Sequence, residues 1–208
     1  MITNKRVYKF YYALLWIWFH IFYRIHFHNR ESVPQGSCIV CGNHTSMADP
    51  LMVAVGMKNS RGYNYTKFMA KKELETAAGG IVSKLAKKLI IFVDRGKSDI
   101  NAIKNTISHL KDGGNIIVFP EGHRVDAGED SEAKTGVIMM AMKSGAQILP
   151  VYITEKRKPP VIFGRVDVVF GEPYTPQKTP GATTGESYRI AVDDLMGRIH
   201  ALGETLKK

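Results

Sequence analysis

Cysteine is scarce in this chain, with 2 in 208 residues. That is too few for the disulfide framework of a small secreted domain. Acidic residues are outnumbered, 19 against 29 Lys and Arg, and residues 1–30 contain none. Glycine signatures for nucleotides are missing: no G-x-G-x-x-G and no Walker-type phosphate loop occurs, so no nucleotide cofactor is expected. The G-x-S-x-G of an acyl-serine hydrolase is missing too. No long apolar run is present. The greasiest segment, Phe10–Tyr23, has 14 residues; as a helix it covers ~21 Å, short of the ~30 Å hydrocarbon core. At 44% hydrophobic and 23% charged, the composition excludes a disordered or polytopic membrane chain and suits one packed domain.

What is present is unevenly placed. The net charge is +10, and residues 56–111 alone hold twelve basic and four acidic residues. A local basic excess implies an anionic partner, either a nucleic acid or a membrane surface and its phosphate-bearing lipids. Of the 20 aromatic residues, ten fall within residues 1–27. Trp, Tyr and Phe favour the headgroup boundary of a bilayer. Both flanks of Phe10–Tyr23 are positive, so the segment lacks the one-sided bias of a spanning helix, and no small-residue cleavage site follows it, which argues against a signal peptide. Residues 1–30 are therefore expected to form an uncleaved helix in the plane of a membrane, with Trp16, Trp18, Phe19 and Phe22 as anchors. A buried core helix is the other reading of the same segment. Residues 31–208 would form the second unit.

That second unit alternates strand-like and helix-like patterns. Ser37–Gly42, Lys67–Ala70, Leu89–Asp94, Asn115–Pro120, Gln147–Ile153 and Arg165–Gly171 read as strands. Helices are expected near Pro50–Met57, Ile81–Lys88, Ser98–Lys111 and Thr135–Ser144, with a closing helix that carries Val192, Leu195, Met196, Ile199, Leu202 and Leu206 on one face. The alternation predicts a single α/β domain with a mixed, mostly parallel sheet flanked by helices.

Three clusters end predicted strands. Asn43-His44-Thr45-Ser46-Met47-Ala48-Asp49-Pro50 follows SCIVCG. An imidazole serves as a base near neutral pH if a carboxylate orients it, and Asp49 lies five residues beyond His44. The same residues also suit a satisfied loop histidine and an aspartate that caps a helix begun at Pro50. Phe119-Pro120-Glu121-Gly122-His123-Arg124 offers a carboxylate, a flexible backbone and a fixed positive charge; Ile91-Phe92-Val93-Asp94-Arg95-Gly96-Lys97 ends in another arginine. Each alone is also a plausible solvated turn. In a parallel sheet, however, residues ending different strands converge on one edge.

In order and spacing these blocks resemble the glycerolipid acyltransferases. NHTSMADP is similar to their H-x-x-x-x-D block, Phe92-Val93-Asp94-Arg95 to the second, FPEGHR to the third and Ile148-Leu149-Pro150-Val151 to the fourth. With Lys71-Lys72-Glu73-Leu74 the likeness covers about residues 37–153, and it runs towards the 1-acylglycerol-3-phosphate branch. One departure concerns the third block, which usually has Thr where this chain has His123; it bears on acceptor identity.

The resemblance implies catalysis by His44 with Asp49 and an acceptor-phosphate site of Arg95, Glu121, Gly122 and Arg124 with Lys71. The acceptor would be a lysophospholipid, the donor a thioester of acyl carrier protein or coenzyme A, and the place the cytoplasmic face of a cell membrane. Glycerol 3-phosphate or another lysolipid is the alternative acceptor. No cofactor or metal is implied. Cys38, Cys41 and His44 could in principle ligate zinc, but positions i and i+3 of a strand point to opposite faces. The rival class is a nucleic-acid-binding protein using Lys84, Lys87, Lys88, Lys97, Lys104 and Lys111. Few aromatics interleave with those charges, and nucleic acid is not the expected partner.

Overall fold

The computed structural model describes residues 5–57, 66–72, 89–94, 99–124, 131–154 and 164–207. The chain opens with helix α1, Lys5–Phe22, followed by strand β1, Arg24–His28. Then come β2 (Cys38–Gly42), α2 (Asp49–Gly56), β3 (Thr66–Lys71) and β4 (Ile90–Val93). The remainder is α3 (Ile100–Lys111), β5 (Asn115–Val118), α4 (Gly136–Ser144), β6 (Gln147–Ile153), β7 (Arg165–Phe170) and α5 (Thr184–Glu204). Every strand expected from sequence is present to within a residue or two. The helix expected at Ile81–Lys88 lies outside the described residues.

Among the described residues the strands form one sheet in the order β1-β7-β6-β2-β5-β3-β4. Only the β6–β7 pairing is antiparallel; the others, β1–β7 included, are parallel. The mixed, mostly parallel α/β architecture is thus as expected. Its consequence for function is directional. β2, β3, β4, β5 and β6 all finish at one edge, where loops carrying chemistry gather.

Burial on both faces explains the central run. CIVCG is buried at every position, as a strand covered by helices on both sides must be. Cys38 and Val40 join one core with α1 and α2 residues, including Phe19, Met52 and Val55. Ile39 and Cys41 join the other core, with Ala102, Leu110, Ile138, Val192, Leu195 and Ile199 from α3, α4 and α5. The two cysteines therefore face opposite layers, as the strand period requires. Burial pushes the Cys38 thiol up to about 12, and burial, with Cys38 beside it, raises Cys41 as well. Neither thiol is a nucleophile at neutral pH.

Local signals set the helix ends. Asp99 caps α3 by accepting a hydrogen bond from Ala102 N at 2.9 Å. Gly113, at φ 83°, turns the chain from α3 into β5. In α5, Thr183 and Glu186 form a reciprocal capping box, which satisfies two otherwise orphaned N–H groups.

The N-terminal segment departs from expectation in two ways. Residues 24–28 are not part of the helix: they form β1, whose pattern eBeii alternates Ile25 inward with Arg24 and His26 outward. Phe19, expected as an anchor, is fully buried and packs into the α1–α2 core beside Tyr23. A side chain occupied in that way is not available to lipid. The opposite stripe of α1 is different. Phe10, Leu14, Ile17 and Ile21, spaced four, three and four residues apart, are exposed, and so are Trp16, Trp18 and Phe22. Among the described residues no helix is long and apolar enough to cross a membrane.

Candidate active site

Where β2 ends, its ladder with β6 stops at Gly42–Val151 and its ladder with β5 at Cys41–Val118. The chain then passes through Asn43 and His44 before turning into α2. Asn43 is buried. Its Oδ1 accepts from Ile153 N at 2.8 Å and its Nδ2 donates to Ile153 O at 2.9 Å. An amide side chain thereby replaces the next pair of strand bonds.

His44 Nδ1 lies 3.1 Å from Asp49 Oδ2. Asp49 is fully buried, and the same oxygen accepts the backbone N–H groups of Thr45 at 2.8 Å and Ser46 at 2.6 Å. Oδ1 makes no hydrogen bond among the described residues, so the carboxylate is aimed wholly through Oδ2. Because an ionised carboxylate only accepts, Nδ1 carries the ring proton and Nε2 keeps its lone pair. The ring stacks on Phe119 at a centroid distance of 4.1 Å and an angle of 18°. Asp49 is the first residue of α2, but Ala48 is the N-cap and no side chain caps the helix; the aspartate's hydrogen bonds go back to the 44–46 turn and the imidazole instead.

The FPEGHR segment approaches from β5. Gly122 has φ 76°, a left-handed conformation that favours glycine, and the flexible Lys134 side chain lies over it, 2.8 Å from where a Cβ would stand. Glu121 is buried, and its Oε2 accepts His44 N–H at 3.0 Å. That differs from its expected place in a phosphate site, because the carboxylate points to the His44–Asp49 loop. His123 and Arg124 are exposed. Lys71 is exposed at the finish of β3, level with Val93 of β4. Arg95 lies outside the described residues.

The structure accordingly brings together His44, Asp49 and Glu121, and leaves Lys71 and Arg124 in solvent on the same edge. Three contributors carried no separate signal in the sequence: Asn43, Phe119 and Lys134, whose chain runs over Gly122. Asn43 and Phe119 sit inside the recognised blocks, and only the sheet register shows what they touch. Among the described residues no group of His, Cys, Asp and Glu is arranged to hold a metal.

The chain is 29% identical over 127 residues to a probable 1-acyl-sn-glycerol-3-phosphate acyltransferase of Mycoplasma pneumoniae, covering 60% of this chain and 47% of that protein. It therefore spans about half the length of that relative. It is 27% identical over 187 residues to the 1-acyl-sn-glycerol-3-phosphate acyltransferase of Bacillus subtilis, covering 84% of this chain and 89% of that one. The crystal structure of the 1-acyl-sn-glycerophosphate acyltransferase PlsC from Thermotoga maritima superimposes with a TM-score of 0.69 at 25% identity, over 100% of this chain and 85% of that one. The sequence model of the Acyltransferase family matches residues 24–154, from the first residue of β1 to just past the end of β6, and the chain belongs to that family.

Proposed function

We propose that the protein transfers a fatty acyl group from an acyl thioester to the 2-hydroxyl of 1-acylglycerol-3-phosphate, yielding phosphatidic acid. The observation that carries this reading is the buried Asp49 holding Nδ1 of His44, which leaves Nε2 as the base at the open edge of the sheet. In the forward reaction Nε2 takes the proton of the acceptor hydroxyl as its oxygen attacks the thioester carbonyl. Asp49 stabilises the imidazolium so formed, as in a triad that lacks its serine. Collapse of the tetrahedral intermediate breaks the C–S bond, and the imidazolium returns the proton to the departing thiolate. Atoms and charge balance with no cofactor. Arg124, with Lys71 and Arg95, would hold the acceptor phosphate; guanidinium groups suit its oxygens.

The donor is a thioester of acyl carrier protein or coenzyme A, and the protein works at the cytoplasmic face of the cell membrane. Helix α1 forms the attachment, with the Phe10–Leu14–Ile17–Ile21 stripe, Trp16, Trp18 and Phe22 in the headgroup boundary. Supporting this is the exposure of that whole stripe on a helix whose other side is fixed to the core through Phe19.

The test is thioester consumption by the purified protein over a panel of lysophospholipids and glycerol 3-phosphate, with His44→Ala as control. Preference for 1-acylglycerol-3-phosphate, lost in the variant, is expected. Equal turnover on glycerol 3-phosphate would move the assignment to that acceptor, and no turnover on any would overturn it.

A further inference from the structure

We propose that Glu121 is a positioning residue for His44. This rests on the acyl-transfer reading for its kinetic consequence, though not for its geometry. β2 and β5 leave their shared ladder at Cys41 and Val118. His44 and Glu121 each lie three residues beyond, and at that level the backbones no longer pair. The carboxylate takes over the bond that a strand carbonyl would otherwise make, accepting His44 N–H at 3.0 Å.

On the opposite side Asn43 does the same towards β6 through Ile153. The base is thereby held from both neighbouring strands, its N–H by Glu121, the preceding Asn43 by Ile153, and its ring by Asp49 and Phe119.

Charge supports the same conclusion. A phosphate monoester and a carboxylate repel, and the cost of close approach rises out of water. Glu121 is 7% exposed, whereas Arg124, three residues later, is exposed. The FPEGHR block therefore splits its labour: glutamate turns inward to the base, arginine outward to the ligand.

An ill-placed general base loses about 10- to 100-fold in rate even when all groups remain. The full-length protein and its Glu121→Ala and Glu121→Gln variants are compared in steady state, varying 1-acylglycerol-3-phosphate and thioester separately. Backbone amide exchange at His44 is followed by NMR in the same samples. Expected is a fall in kcat of about that size for Glu121→Ala with acceptor KM nearly unchanged. Substantial recovery is expected in Glu121→Gln, whose amide oxygen still accepts. His44 N–H should exchange faster in the alanine variant than in the other two. A rise in acceptor KM at preserved kcat, or equal exchange protection in all three proteins, would overturn the proposal. If the wild type consumes no thioester, the functional reading fails, and the exchange comparison alone still decides whether Glu121 holds His44.

Discussion

Among the described residues two histidine–aspartate pairs stand on this one sheet, and they are built differently. The shorter is His28–Asp167, 2.8 Å between Nε2 and Oδ1, and it joins the edge strand β1 to β7. The longer is His44–Asp49, at 3.1 Å. Distance alone would rank them wrongly. Asp167 already holds Arg165 through two hydrogen bonds, of 2.8 and 2.9 Å, so its charge is neutralised before the histidine arrives. Asp49 pairs with no lysine or arginine among the described residues and is surrounded by backbone N–H groups. The nitrogens differ as well. His28 commits Nε2, the outer atom of the ring, to its partner, whereas His44 commits Nδ1, which in the proposed reaction leaves Nε2 for the acceptor hydroxyl. A histidine serves as base when its carboxylate is buried, uncompensated and bonded to the inner nitrogen.

The largest separation between the pairs should appear on removing the rings. His44→Ala is expected to lower kcat by about 10²- to 10⁴-fold with binding of both substrates retained. His28→Ala should stay within a few-fold of wild type in the same thioester assay. Comparable losses in both variants would erase the distinction drawn between them. Replacing the carboxylates comes next. Asp49→Asn removes the charge that steadies the imidazolium and admits the wrong tautomer, and a fall in kcat on the order of 10²-fold or more is expected. Asp167→Asn should leave kcat unchanged.

A smaller contrast separates the arginines. Arg165 is spent on Asp167, while Arg124 faces solvent on the edge where β2 and β5 finish. A charged hydrogen bond to phosphate is worth about 1.5–3 kcal/mol, so Arg124→Ala should raise acceptor KM by about 10- to 100-fold and leave thioester KM alone. Arg165→Ala should move neither. A KM effect confined to the thioester in Arg124→Ala would assign that arginine to the donor instead.

Only one of the two pairs was legible before the fold was known, for a physical reason. His44 and Asp49 lie five residues apart, across a turn at the end of an apolar run, so local pattern suffices to place them. His28 and Asp167 are 139 residues apart and meet because β1 docks parallel to β7. β1 itself was hidden. Its Arg-Ile-His-Phe-His alternation has the period of a half-buried edge strand, but it adjoins an aromatic helix and reads as that helix's tail. The same limit applies to Phe19. An all-round apolar helix shows no preferred face in sequence, and contact with α2 and β1 selects which stripe is buried. Glu121 was visible as a carboxylate in the right block, yet its target is a backbone N–H beyond the end of the neighbouring strand, 77 residues away in the chain, which no side-chain pattern encodes.

The smallest effect concerns acid. Burial pushes the Asp167 carboxyl up, but hydrogen bonds from Arg165 and His28, with their charges, outweigh it and hold the group below the usual carboxylate range. A carboxyl depressed by folding contributes stability above its unfolded value, near ~3.9, and loses it as pH falls through the lower folded value. Arg165 is 62% exposed on its side chain, and water screens such a pair to roughly 1 kcal/mol or less. For a chain of this size that is a Tm difference of about 2–4 °C at most. Thermal melts of wild type and Asp167→Asn should therefore differ by a few degrees at pH 7 and converge in acid below about pH 4. A gap that persists there would mean the aspartate ties β1 to β7 by shape and hydrogen bonding, with its charge incidental. Convergence would identify the second pair as an ionic clasp on an edge strand, structural where His44–Asp49 is chemical.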